Sequence, residues 1–183
     1  PYTNGTTIQG NSNYWRRNAN NTGNWTSVRT DYRGRVSYDE ASGKYFRCYD
    51  NNRNIYVEHG TNLYSLTQQY VYGYSDSSVI ECAVGNGIVC TIVRNYSSGI
   101  PYVIVGTTAN PGGGSYTFTN QNSNPSWIRF VQGYFWIYNQ GQLYRSENGQ
   151  TWTNVTGIIN GDIVDVHYNQ AAGELQVYAS GGS

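Results

Sequence analysis

Apolar and polar residues alternate along this chain in short runs. Val36-Ser37-Tyr38, Tyr45-Phe46-Arg47-Cys48-Tyr49, Ile55-Tyr56-Val57, Trp127-Ile128-Arg129-Phe130-Val131 and residues 79–84, 88–93, 102–105, 134–138 and 163–168 are each a few residues long. They are rich in β-branched and aromatic side chains and are bounded by Gly, Asn and Ser. Runs of that length and make-up, between turn-forming residues, predict strands. No segment sustains a helical period. The pattern therefore predicts an all-β chain: a propeller, or alternatively a β-sandwich or jelly roll.

The runs recur as four related units, approximately 28–70, 71–124, 125–157 and 158–183. The last unit holds only two strands' worth of sequence. Its missing half is found in residues 1–27, at whose end Trp25-Thr26-Ser27, running on into Val28, matches Trp152-Thr153-Asn154-Val155. Pairing the N-terminal strands with the C-terminal ones would complete the fourth unit and hide a sheet edge. The expectation is a single domain, a small propeller of four blades closed in this way, with about 45 residues to a blade. A fragment of a larger propeller fits the same pattern. Between Cys82 and Cys90 lies a hairpin, and its loop decides how they meet. A three-residue loop at Gly85-Asn86-Gly87 sets the two cysteines opposite each other, and a two-residue loop at Asn86-Gly87 offsets them. With Cys48 the set is odd, so at least one thiol is unpaired within a monomer.

Composition supports strands and narrows the function. Charged residues make up 12% and aromatics 15% of the chain, with 19 tyrosines and 22 glycines. Helical proteins are richer in Ala, Leu, Glu and Lys. The 11 basic and 11 acidic residues cancel, so no basic face marks a nucleic-acid binder. No apolar run approaches the ~20 residues of a membrane-spanning helix, so no membrane insertion is expected. The start at Pro1, with no apolar leader, predicts synthesis without a signal peptide. No cysteine–histidine spacing suited to zinc occurs, and no cofactor is expected.

The run Ser146-Glu147-Asn148-Gly149-Gln150-Thr151-Trp152 forms a strand, a tight turn and the start of a second strand. It resembles an Asp-box, the Ser-x-Asp-x-Gly-x-Thr-Trp turn of the bacterial neuraminidase repeat. Asn148 stands for the aspartate, and one residue is missing around the glycine. Such turns occur in propeller modules of phage tail and receptor-binding proteins and in lectins. The resemblance implies a propeller and gives Ser146, Asn148, Gly149, Thr151 and Trp152 a structural role. Sialidase catalysis is the activity that the motif suggests, but the Arg-Ile-Pro motif of that family is absent. Carboxylate pairs for glycoside hydrolysis could come from Asp31, Asp50, Asp76, Glu81 and Asp162. His167 and Asp165, two apart in a strand, should share one face.

Abundant Tyr, Trp, Asn and Gly suit a wet recognition surface, where rings stack and amides hydrogen-bond adaptably. In a propeller, the connections between blades and those after each second strand meet at one mouth. Here that mouth would carry Asp31, Arg33, Asp50, Arg53, Tyr74, Asp76, Tyr96, Asn139 and Asp162. The function expected is a non-catalytic binding module for cell-surface glycan, repeated in a virion fibre or extracellular assembly. The partners expected are the glycan and copies of itself or other subunits. The alternatives are a purely structural subunit of a virion or filament and a sialidase-like enzyme.

Overall fold

The computed structural model describes residues 7–9, 14–16, 26–29, 35–63, 65–73, 77–118, 125–155, 157 and 161–180, with side chains from Arg35 onward except at Ser77 and Thr117. Every regular element among them is a strand. The first three are β1 (Thr7–Gln9), β2 (Tyr14–Arg16) and β3 (Thr26–Arg29), which form one antiparallel sheet. Three four-stranded antiparallel meanders follow. The first is β4 (Ser37–Asp39), β5 (Lys44–Asn51), β6 (Asn54–Gly60) and β7 (Thr67–Gly73). The second is β8 (Ser77–Gly85), β9 (Ile88–Asn95), β10 (Tyr102–Thr107) and β11 (Gly114–Thr117). The third is β12 (Trp127–Val131), β13 (Tyr134–Asn139), β14 (Gln142–Ser146) and β15 (Thr153–Asn154). A hairpin of β16 (Asp162–Asn169) and β17 (Glu174–Ser180) ends the described chain.

The expected all-β class is present. Trp25 lies outside the described residues. Among the described residues β1–β3 pair with one another and β16 with β17, as two separate sheets.

Strand alternation explains the stacking, because successive side chains point to opposite faces. On β8–β11, Cys82, Val84, Val89, Val93 and Ile104 face the β4–β7 sheet and meet Phe46, Cys48, Ile55, Val57 and Val71. The intervening residues Ala83, Cys90, Ile92 and Val103 face the other way and meet Ile128, Phe135, Ile137 and Tyr144. The middle sheet is thus apolar on both faces. Beyond it, Trp127, Trp136, Tyr138 and Leu143 pack on Ile163 and Val166. On the face of β4–β7 turned from β8, Arg47 and Glu58 lie opposite each other in register and form a buried ion pair.

Tight turns fix the registers. Asn86 and Gly87 both have positive φ, 53° and 75°, so β8 and β9 are joined by a two-residue hairpin. Cys82 consequently sits opposite Thr91, and Cys90 opposite Ala83. The two thiols point to opposite faces, and all three cysteines are free and buried.

The 146–152 turn is held by two side chains. Ser146 Oγ accepts the N–H of Gly149 at 2.8 Å. Asn148 Oδ1 accepts from the N–H groups of Gln150 and Thr151 at 2.9 and 3.1 Å, and from the Thr151 hydroxyl at 3.3 Å. Trp152 Nε1 donates to the Gly149 carbonyl at 3.1 Å, and its ring meets Phe118 edge-on. Gly149, at φ +73°, lies so close to Cys90 and Val105 that the turn seats directly on the neighbouring sheet.

Candidate functional site

The first strands of the three meanders and of the last hairpin, β4, β8, β12 and β16, contribute to one cavity of about 630 Å³. Each of these strands enters from a connection between sheets and leaves through a first hairpin turn. The cavity is lined by Arg35, Tyr38, Asp39 and Glu40 from the first sheet and by Gly85 and Asn86 from the second. Arg129 and Phe130 come from the third, and Asp165, His167 and Tyr168 from the last hairpin. On β8, β12 and β16 these are residues toward the C-terminal end. The cavity therefore lies at the end of the sheets that carries the first hairpin turns.

Cross-sheet hydrogen bonds hold the inner strands together. Ser37 Oγ donates to the Cys82 carbonyl at 3.1 Å, joining β4 to β8. Glu81 Oε2 accepts the Ile128 N–H at 3.0 Å and Arg129 Nη1 at 2.5 Å, joining β8 to β12. Arg129 Nε donates to Asp165 Oδ1 at 2.8 Å, joining β12 to β16. One guanidinium thus bridges carboxylates on the two flanking sheets, and it lies 5.2 Å from the Trp127 ring centroid. Trp127 Nε1 adds a bond to the Ile163 carbonyl at 3.0 Å. Gly85 matters at the wall, since a Cβ there would stand 2.0 Å from the Phe130 ring.

The side chains open to the cavity have mixed chemistry. Tyr38 packs on Tyr45 with centroids 4.8 Å apart, and His167 meets Tyr178 edge-on at 5.4 Å. Glu40 is exposed, while Asp39 is buried and accepts the Ser42 N–H at 3.0 Å, which closes its own turn. Asp165 and His167 lie on one face of β16, as their spacing implies, opposite Tyr178 and Gln176. Among the described residues no group of three His, Cys, Asp or Glu side chains is arranged to hold a metal ion.

The residues expected at a binding mouth lie elsewhere. Asp31, Arg33, Tyr74 and Asp76 fall outside the described residues. Asp50, Arg53, Tyr96, Asn139 and Asp162 sit at the opposite end of the sheets, where second strands turn into third strands and β16 begins. None of these five lines the cavity. Asn139 is fully buried. Asp162 Oδ1 accepts the Tyr138 hydroxyl at 2.8 Å across a sheet boundary. Burial, reinforced by that carboxylate, raises the Tyr138 phenol above its ordinary pKa. Arg53 is exposed in a turn at φ +68°. Asp50 and Tyr96 are both exposed, at the ends of strands in adjacent sheets. The cavity residues Tyr38, Glu40, Asn86, Arg129 and Tyr168 were not singled out from the sequence as a site. Their shared position, at the end of the first strand of each repeat, is the signal that marks them.

No protein-family model matches the chain, and no curated protein matches it in sequence. Solved structures do resemble it in fold. The WD40 beta propeller domain of Doa1 superposes with a TM-score of 0.53 at 11% identity, over 85% of this chain and 51% of that one. A chain of the nidogen/laminin complex superposes with a TM-score of 0.58 at 9% identity, over 91% of this chain and 64% of that one. The chain thus spans half to two thirds of the length of these structures. At such identities the likeness concerns fold alone: successive antiparallel meanders with their first strands innermost, the architecture of a β-propeller module.

Proposed function

We propose that this chain is a non-catalytic binding module that takes a saccharide unit of a surface glycan in the cavity between its inner strands. The observation that carries the reading is that cavity. Its volume of about 630 Å³ falls in the usual range for small-ligand sites. Tyr38, Tyr168 and His167 bring rings to it, and Glu40 and Asn86 bring hydrogen-bonding groups. Rings stack on sugar faces, while carboxylates and amides pair with hydroxyls. The propeller-like fold and the resemblance of the 146–152 turn to those of phage tail modules and lectins support a recognition role.

A site with few desolvated contacts binds weakly, around millimolar, or ~4 kcal/mol. Repetition in a fibre or particle would raise avidity by about 10²–10⁴. The test is a glycan array followed by NMR titration of the best sugar. Shifts at Asn86, His167 and Tyr168, lost in Tyr168→Ala, are expected. Silence on the array, or a bound sugar that leaves these resonances unmoved, would refute the reading. A structural subunit is the second reading, favoured by the exposure of Val164, Leu175 and Tyr178 (49, 39 and 47%) on the last hairpin. Self-association that Tyr178→Ser abolishes, without sugar binding, would decide for it.

A further inference from the structure

Arg94 occupies an unusual position near the end of β9, at the opposite end of the sheets from the cavity. Its Nε is buried and has no hydrogen-bond partner. Among the described residues it forms no ion pair, although Arg47 and Arg129 both do. The side chain as a whole is half-buried and no carboxylate among the described residues pairs with it, so a ligand carboxylate would supply the missing anion.

The guanidinium carbon lies 5.7 Å from the centroid of the Tyr96 ring. Tyr96 is 62% exposed, more than any other large apolar residue among those described. Its position is set by its neighbours. Ser78 Oγ donates to the Tyr96 hydroxyl at 3.1 Å. Asn95 Oδ1 accepts the N–H groups of Ser97 and Ser98, both at 3.0 Å, and so locks the turn that carries the ring. The Ser78 hydrogen bond first, and then Arg94, hold the phenol below its ordinary pKa, while Asp50 across the sheet boundary acts in the opposite sense. A fixed aromatic face and a cation with no carboxylate partner among the described residues therefore meet at one rim.

We propose that Arg94 and Tyr96 form a second binding site, for a monosaccharide ring that bears a carboxylate, as in a hexuronic acid. The ring lies on Tyr96, and the carboxylate takes the outer nitrogens of Arg94. Arginine is suited to this, because its planar donors match a carboxylate in pairs. The site is separate from the cavity and does not depend on what binds there.

The experiment is NMR titration of the whole chain with three probes: D-glucuronate, D-glucose and acetate. Glucuronate should shift the resonances of Arg94, Tyr96 and Ser97. Glucose, which lacks the charge, and acetate, which lacks the ring, should each bind at least about tenfold more weakly. Tyr96→Ala changes an exposed side chain and Arg94→Gln removes the charge, and each should cost glucuronate about tenfold or more in affinity. Arg94→Lys keeps the charge but loses the fork, and should fall between. Equal binding of glucose and glucuronate would overturn the proposal. So would no response to glucuronate, or unchanged affinity in Tyr96→Ala with the fold intact.

Discussion

Gly149→Ala tests how the 146–152 turn seats on the next sheet. The backbone at Gly149 has φ +73°, and a Cβ there would stand 2.3 Å from Cys90 Sγ and 3.2 Å from Val105 Cγ2. Holding alanine in the left-handed region costs about 1–2 kcal/mol. Forcing one extra carbon into a packed interior costs about 1–3 kcal/mol more. The stiffer unfolded chain returns about 0.4–1 kcal/mol. The net loss should be about 2–4 kcal/mol, which for a chain of this size lowers Tm by roughly 4–16 °C. Cys90→Ala removes the atom that the new Cβ meets, and by itself costs about 1 kcal/mol of lost burial. In that background only the backbone part of the Gly149→Ala cost remains. The two changes should therefore couple favourably by about 1–2 kcal/mol, well above the ~0.5 kcal/mol scatter of independent sites. Urea unfolding followed by tryptophan fluorescence measures all four corners of the cycle, with m-values expected to stay constant. Strict additivity, or a neutral Gly149→Ala, would show that the turn does not pack on β9 and β10.

Arg129→Met should destabilise by about 3–5 kcal/mol, because it strands the Glu81 carboxylate, whose side chain is only 11% exposed. Adding Glu81→Gln should restore part of that loss, and no restoration in thermal unfolding would contradict the bridging role. Arg53→Gly should be neutral or stabilising by up to about 1 kcal/mol, since it releases a non-glycine residue at φ +68°. A clear fall in Tm would mean that the Arg53 side chain contributes to the fold. Burial pushes the Cys48 and Cys90 thiols well above their ordinary pKa. The native protein should thus resist a thiol reagent at about pH 8 and expose all three cysteines only in denaturant; one fast-reacting thiol in the native state would refute this. Burial, and then Lys44, lower the His59 pKa from 6.5. The unfolded chain binds this proton more readily, so the contribution of His59 to stability is complete above about pH 6.5 and is lost as pH falls through the lowered value. His59→Gln should flatten that part of the urea-midpoint profile, and an unchanged profile would assign it to other groups.

Strand content was legible in the sequence because period-two patterning and turn residues agree. Asn86-Gly87 marked the β8–β9 hairpin but left two loop lengths open, and the positive φ of both residues settles the two-residue turn that offsets Cys82 from Cys90. The turn at Asn52-Arg53 is harder to read, since no glycine marks its positive φ values of 49° and 68°. The site was less legible. Attention to loops led to Asp50, Arg53, Tyr96, Asn139 and Asp162, on the reasoning that loops carry function. The cavity instead gathers strand-end residues, whose convergence depends on how the sheets fan around their inner strands. Glu81 could be read only as a candidate catalytic carboxylate. Its partner Arg129 lies in another sheet, and no spacing in sequence reports that proximity. Asn139 illustrates the same limit: its residue type suits a mouth, and its place at the end of a buried strand removes it from one.

The two ends of the sheets differ in how they can bind. At the cavity end, β8–β9 and β12–β13 close through two-residue turns whose residues all have positive φ. Cross-sheet bonds from Ser37, Glu81 and Arg129 fix the strands that lead into them. A ligand there pays little to order the protein, so its affinity is set by the few contacts it makes. At the other end, β9 and β10 are joined by a longer connection that depends on the Asn95 side chain to hold its shape. There Tyr96 is 62% exposed, more than any other large apolar residue among those described. The recognition proposed at that end would rest on one ring and one guanidinium, and it could change through either residue without disturbing the stack. The cavity, by contrast, is built from β4, β8, β12 and β16 together. A substitution such as Arg129→Met, which loosens the inner strands, should therefore weaken cavity binding while leaving the Tyr96 rim intact.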